Sequence, residues 1–278
     1  LFCLREHKYR TLGHETCTRT VGLGCYPCLG FVAKNGGAVE LRTVGSLLRE
    51  QETNHGFDAF VVGSSYMRDH VVAHGFESSR VHANPLFVEP QDTGTGTRDP
   101  FQILFVGALL RGKGLDVLLE AMAKVRSSAH LLVVGTGAQE ALFREFASEL
   151  GLAARVTFAG QLDRPSLARA YAESACLVVP SRSPETFGLT GPEAMLHGTP
   201  VIASAVGGMG EWLVDGVTGL AFPSGDAEAL AGAIHRVLDN PEDAARMVAE
   251  GRRRCEENFR ADAHVDRLLT VLEGVVRS

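Results

Sequence analysis

Across its 278 residues the chain contains no apolar run near the 18 or so that a membrane span requires. It has no surplus of positive charge either. The net charge is −6, so the basic stripe of a nucleic-acid-binding surface is missing, and no nucleic-acid partner is expected. The cluster 252-RRR-254 sits among glutamates and reads as a solvated helix face. No internal repeat or low-complexity tract stands out, so nothing suggests a repeat array. The chain opens LFCLREHKYR without methionine, the pattern of a fragment or a processed product, and nothing in the rest calls for secretion. What is present is ordinary for a globular protein: 45% hydrophobic residues in a length that suggests about two domains.

Cysteine is unevenly used. Cys3, Cys17, Cys25 and Cys28 fall in the first 28 residues and end in 25-CYPC-28, whereas Cys176 and Cys255 stand alone. The first four are a candidate structural zinc set. Their outer spacings match no standard finger, so free or redox-active thiols or a disulfide remain the alternative. Cys176 opens the apolar run CLVVP and reads as a small buried hydrophobe.

From residue 100 onward apolar runs alternate with amphipathic segments. The runs 102–107, 130–135, 155–160, 176–181 and 200–205 are nearly continuous, as parallel strands covered on both faces should be. Between them, Leu115, Leu118, Leu119 and Met122 follow a helical stripe, as do Leu230, Ile234, Val237 and Leu238. Such alternation predicts right-handed βαβ units and a doubly wound sheet. Ahead of it, 58–64, 65–76 and 79–85 read as strand, helix and strand. The stretch 89–100, rich in Gly, Thr, Asp and Pro, reads as a linker. The last segment, 261–276, reads as an amphipathic helix.

The chemistry concentrates in 183-SPETFGLTGPEAMLHGTPVIAS-204. It follows the strand 176–181, so it sits at the carboxyl edge of the sheet, where ligands bind in open α/β folds. Gly188 and Gly191 let backbone N–H groups approach a ligand, and Pro192 and Gly198 bracket a short helix with an anion-favouring start. A plainer reading makes Thr190–Glu193 a capping box, with Glu193 folded back to the Thr190 N–H, Glu185 a solvated loop residue and His197 a complement to the helix end. A second loop, 107-GALLRGKG-114, places Arg111 and Lys113 among glycines after the first strand, a cradle for phosphate. A third, 135-GTGAQ-139, also ends a strand, and its G-x-G is too short for a dinucleotide fingerprint.

These residues together carry a resemblance. Over 106-VGALLRGKG-114, 133-VVGTG-137, 155-RVTFAG-160, 185-ETFGLTGPE-193, 194-AMLHGTPVIAS-204, 207-GG-208 and 215-DGVTGLAF-222, the chain resembles the C-terminal domain of family 4 retaining glycosyltransferases (glycosyl transferases group 1, GT-B fold). Residues 58–90 look like the end of that family's N-terminal domain. The resemblance implies an α/β chain of GT-B type, N-terminally incomplete, with one whole Rossmann-like doubly wound parallel-sheet domain and the remnant of a second. Its divisions would be an acceptor-side remnant with a Cys-rich loop at 1–88, a linker at 89–100, a nucleotide-sugar domain at 101–258 and a returning helix at 259–278.

The resemblance also implies the activity: transfer of a sugar from a UDP-, GDP- or ADP-sugar to a glycan, lipid or small-molecule acceptor, with the anomeric configuration kept. Lys113 would bind the diphosphate and Glu185 the sugar hydroxyls near the reacting carbon, and these are the catalytic candidates. Gly107, Arg111, Gly135, Gly137, Phe187, Gly188, Leu189 and Thr190 would complete the donor site, with Glu193 on the ribose. Where the family has Arg after the first loop glycine this chain has Ala108, and Arg111 is expected to supply the charge. No Asp-x-Asp occurs, so no metal is expected through that motif and no cofactor is required. The expected location is cytoplasmic, with peripheral contact at the inner face of the membrane through the missing region as an option. A nucleotide-sugar-binding module without transfer, a sugar-nucleotide epimerase and a zinc-held interaction element are the competing readings.

Overall fold

The computed structural model describes residues 17, 25, 32–35, 38–41, 43–89 and 97–277. The chain begins with the antiparallel hairpin β1 (Val32–Asn35) and β2 (Ala38–Leu41), followed by α1 (Val44–Asn54), which Thr43 caps by accepting the Ser46 N–H. A small β-α-β unit comes next: β3 (Phe60–Val62), α2 (Ser65–Ala73) and β4 (Val81–Ala83), with the strands parallel. Its own core is Val71, Phe76 and Val81.

Everything after residue 97 builds a six-stranded sheet. Its strands are β5 (Asp99–Val106), β6 (His130–Val134), β7 (Val156–Gly160), β8 (Ser174–Val179), β9 (Val201–Ser204) and β10 (Leu220–Phe222). All neighbours are parallel, in the order β10-β9-β8-β5-β6-β7. The helices are α3 (Leu115–Met122), α4 (Glu140–Glu149), α5 (Arg164–Glu173), α6 (Thr190–Leu196), α7 (Ala227–Asp239), α8 (Pro241–Asn258) and α9 (Ala261–Arg277). The first strand of this sheet, β5, lies in the middle, with β6 on one side and β8 on the other. That is the doubly wound order, and its direction of winding reverses between β5 and β8.

The continuous apolar runs have their expected cause. Successive strand residues point to opposite faces, and both faces are covered. Ile103 and Phe105 of β5, with Cys176 and Val178 of β8, join the core under α3 and α7. Leu104, Leu177 and Val179 enter the other core with Tyr171, Met195, Trp212 and Phe259. All six residues of β8 are buried, which places it at the centre of the domain. Cys176 is fully buried as expected, and burial pushes its thiol up to about 12.

Several elements differ from the sequence reading. β5 opens at Asp99, inside the stretch read as linker, and residues 90–96 of that stretch lie outside the described residues. β10 and the β1–β2 hairpin were not foreseen, being too short to show a period. In 252-RRR-254, Arg252 and Arg253 pair with glutamates of α8, but Arg254 turns inward to the Glu211 carbonyl. The stripe of α9 is only partly packed: Val265, Leu269, Leu272 and Val276 are exposed, while Leu268, Val271 and Val275 are half-buried. Polar contacts also hold this helix. Asn84 donates to the His264 carbonyl at 3.1 Å, and Arg267 Nε donates to Asn84 Oδ1 at 2.9 Å. No helix among the described residues is long and apolar enough to cross a membrane.

Candidate functional site

The reversal of winding between β5 and β8 leaves a crevice at their carboxyl ends, and two loops enter it. The β5 loop runs through a 3₁₀ turn at Arg111–Lys113 into α3, and the β8 loop runs from Pro180 to α6. Backbone bonds fasten one to the other: the N–H groups of Arg182 and Ser183 both donate to the Gly112 carbonyl, at 2.9 and 3.0 Å. A largely buried ion pair reinforces them, Arg182 Nη2 to Asp116 Oδ2 at 2.9 Å.

Lys113 and Glu185 face each other across this junction. Nζ donates to Oε1 at 2.6 Å, and the Ser181 hydroxyl donates to the same oxygen at 2.6 Å. The Glu185 side chain is 16% exposed and that of Lys113 37%, so the carboxylate is the anchored partner and the ammonium the more accessible one. Both line a cavity of about 410 Å³. Gly107, Phe187, Gly188, Leu189 and Thr190 line it too, as do Ser181 and, from the segment before residue 97, Leu86. The N–H groups of Gly188, Leu189 and Thr190 are taken up by no backbone acceptor among the described residues. Donors, one cation and one carboxylate thus converge on a single space, which suits an anion joined to a hydroxyl-bearing group.

The remaining candidates take other places. Phe187 lines the cavity, but its ring is buried edge-on to Phe259 and its carbonyl accepts the Trp212 indole N–H at 2.6 Å. Its side chain anchors the loop. Arg111 lines a neighbouring cavity of about 260 Å³ with Asp116, Gln139 and Phe143, and its N–H donates to the Gln139 side chain. Gly135 and Gly137 hold the β6 loop against the β5 loop. A Cβ on Gly135, whose φ is +128°, would lie 2.0 Å from the Gly107 carbonyl, and one on Gly137 would lie 2.5 Å from that of Leu109.

Glu193 corrects the capping-box reading. The N-cap position of α6 is Leu189, and Glu193 Oε2 instead accepts the Tyr171 hydroxyl at 2.8 Å. The capping box fails because α6 begins at Thr190 itself, so Thr190 is a helical residue and not the cap. Burial raises the Glu193 pKa, and the Tyr171 bond and nearby His197 only partly oppose it. Tyr171 is raised well above its ordinary value, first by burial and then by the Glu193 charge. His197 closes the helix end as expected, with Nδ1 2.7 Å from the Glu193 carbonyl.

Sequence reasoning missed Ser181, Tyr171 and Asp116 as neighbours of the site. Ser181 was visible as the residue ending the run CLVVPS, next to the loop. Tyr171 carries no local signal, because it reaches Glu193 from α5 only after folding. Cys17 and Cys25 are free thiols, and Cys3 and Cys28 of the zinc reading lie outside the described residues. Among the described residues no cluster of three or more His, Cys, Asp or Glu could hold a metal.

The chain is similar to known proteins in sequence and fold. The family described as glycosyl transferases group 1 matches residues 91–254. A D-inositol 3-phosphate glycosyltransferase of Rhodococcus opacus is 37% identical over 74% of this chain and 48% of its own length. The solved sucrose-phosphate synthase of Thermosynechococcus elongatus superposes with a TM-score of 0.75 at 31% identity, over 85% of this chain and 63% of its own. Anabaena HepE, solved with UDP-glucose, gives a TM-score of 0.74 at 21% identity, over 84% of this chain and 68% of its own, which speaks to the fold alone. The chain spans about half the length of the first curated relatives it matches.

Proposed function

The chain belongs to the glycosyl transferases group 1, and we propose that it binds a nucleotide diphosphate sugar in the β5–β8 crevice and transfers the sugar with retention of configuration. The observation that carries this reading is the Lys113–Glu185 pair, 2.6 Å apart in the cavity that Gly188, Leu189 and Thr190 also line. Diphosphate is the ligand that would use both features. Its negative charge draws the Lys113 ammonium and the N–H groups of Gly188, Leu189 and Thr190, while Glu185 accepts hydroxyls of the attached sugar. Glu193, held by Tyr171, receives the ribose. When the bond between the anomeric carbon and the phosphate oxygen breaks, the nucleoside diphosphate leaves with the electron pair. An acceptor oxygen forms the new bond, and its proton passes to the departing phosphate. Preorganised donors and a cation are worth most where that charge develops.

A thermal-shift panel of UDP-, GDP- and ADP-sugars tests the reading. The preferred donor at a hundred times its dissociation constant should add about 2.7 kcal/mol of stability. Lys113→Ala should abolish that gain and nearly all transfer, and unchanged donor affinity in this variant would remove the phosphate assignment. One observation favours a second reading, a binding module without transfer. Every polar side chain lining the cavity comes from residues 107–190, and of the described residues before 97 only Leu86 contributes. Release of radiolabelled sugar to an acceptor or to water separates transfer from binding alone.

A further inference from the structure

The described residues before 97 meet the turn that follows β9 through a polar contact that the proposed chemistry does not use. Glu211 ends a 3₁₀ turn, Gly208–Glu211, and its Oε1 accepts the N–H of Ser65 at 2.5 Å. Ser65 is the first residue of α2. The Ser64 hydroxyl already accepts the Met67 N–H, and the first turn of α2 has no acidic residue of its own. Glu211 therefore supplies both a second acceptor and the negative charge that a helix N-terminus favours. On its other side the Glu211 carbonyl accepts from Arg254 Nε and Nη2 on α8, at 2.9 and 2.6 Å. The carboxylate is thus tied to one lobe and the backbone to the other.

The opposite end of the same turn is part of the site. The Gly208 N–H donates to the Glu185 carbonyl at 2.7 Å, and Gly207 pairs with Glu185 in a parallel bridge. There is no slack here. A Cβ on Gly208 would lie 2.0 Å from the Thr186 carbonyl and 2.6 Å from the Ser64 hydroxyl. Gly63 approaches in the same way, where a Cβ would lie 3.2 Å from the Thr186 methyl. One short turn therefore links the start of α2 to the backbone of the carboxylate that pairs with Lys113.

Resting on the donor-binding reading above, we propose that Glu211 is a positioning residue. By gripping the first N–H of α2 it fixes the Gly207–Gly208 turn and, through it, the backbone of Glu185. The placement of the sugar-binding carboxylate then depends on the lobe that precedes residue 97, and a shift of that lobe is felt at the donor sugar before it is felt at the nucleotide.

Ser65→Pro is the sharp test. Proline is tolerated at the first helical position, and Ser64 before it is already extended (φ −164°, ψ 160°), as the residue preceding a proline prefers. The substitution deletes the donor N–H and leaves α2 intact. In the full chain without ligand, Ser65→Pro and Glu211→Ala should each speed amide exchange at Gly208 by roughly tenfold, because a charge-assisted bond of this kind shifts local opening by that order. The double variant should be no faster than either single one. Glu211→Gln keeps an accepting oxygen and should stay near wild type, and exchange in β6 should not change. Unaltered protection at Gly208 in both single variants overturns the clamp. Calorimetric titration supplies the second readout: both variants should weaken UDP-glucose by about tenfold and UDP by far less. Equal losses for the two ligands overturn the link to Glu185. A wild-type chain that binds neither ligand nor any other sugar nucleotide overturns the donor reading, while the exchange result still decides the clamp.

Discussion

Lys113 and Glu185 stand 72 positions apart in the chain and 2.6 Å apart in the fold. Each type of side chain was legible as a candidate, because a lysine among glycines at a strand end and a glutamate beside a Phe-Gly-Leu turn have little to do for folding. Their pairing was not legible, since nothing local specifies which strand ends lie side by side. Glu193 shows how far a local pattern can mislead. Its spacing from Thr190 fits a capping box, yet the buried Tyr171 hydroxyl takes the carboxylate and no cap forms. Because burial raises the folded pKa of Glu193, the folded state keeps the carboxyl protonated to a higher pH than the unfolded chain does. Below the ordinary glutamate pKa both states are protonated and nothing is lost; as pH rises past it, ionisation progressively costs stability, in full once the raised folded value is passed. Glu193→Gln should therefore melt with wild type near pH 4 and at a higher temperature near pH 7, while binding the donor more weakly. Matched thermal melts across that range check the sign.

At the scale of elements, the site is made where loops meet. The β5, β6 and β8 loops interlock through main-chain contacts, and Gly135 sits at one of them. A methyl group there meets the Gly107 carbonyl at 2.0 Å with φ at +128°, so the loops must part to admit it. Gly135→Ala should cost roughly 2–3 kcal/mol by overpacking and backbone strain, read from denaturant unfolding. It should also weaken nucleotide binding, although residue 135 does not line the cavity. The G-x-G spacing was visible in the sequence, but the loop-to-loop contact its glycines make was not. Its glycines make room for another loop. β10 and the β1–β2 hairpin escaped notice for a different reason, because three or four residues carry too little pattern to reveal a period.

At the scale of the whole molecule, α9 returns from the end of the chain to the segment before residue 97. Asn84 is the pin. It is 2% exposed, its amide donates to His264, its oxygen accepts from Arg267, and its N–H donates to Val62. Asn84→Ala should cost about 1–3 kcal/mol, because two half-buried polar partners lose their mate. It should also hasten proteolysis within residues 261–277 ahead of the sheet, a difference that timed digestion would detect.

What the residues alone determine is everything set by local pattern and solvent. Continuous apolar runs dictate strands covered on both faces, helical stripes dictate what lies between them, and glycine, lysine and glutamate at strand ends mark the edge proposed to carry chemistry. What only the tertiary structure decides is adjacency. The strand order places β8 beside β5, and with it Glu185 beside Lys113, Ser181 on the same carboxylate and Glu211 on α2. The reason is physical: periodicity records how each segment meets water, whereas the partner of a buried polar group is chosen by the packing of segments distant in sequence.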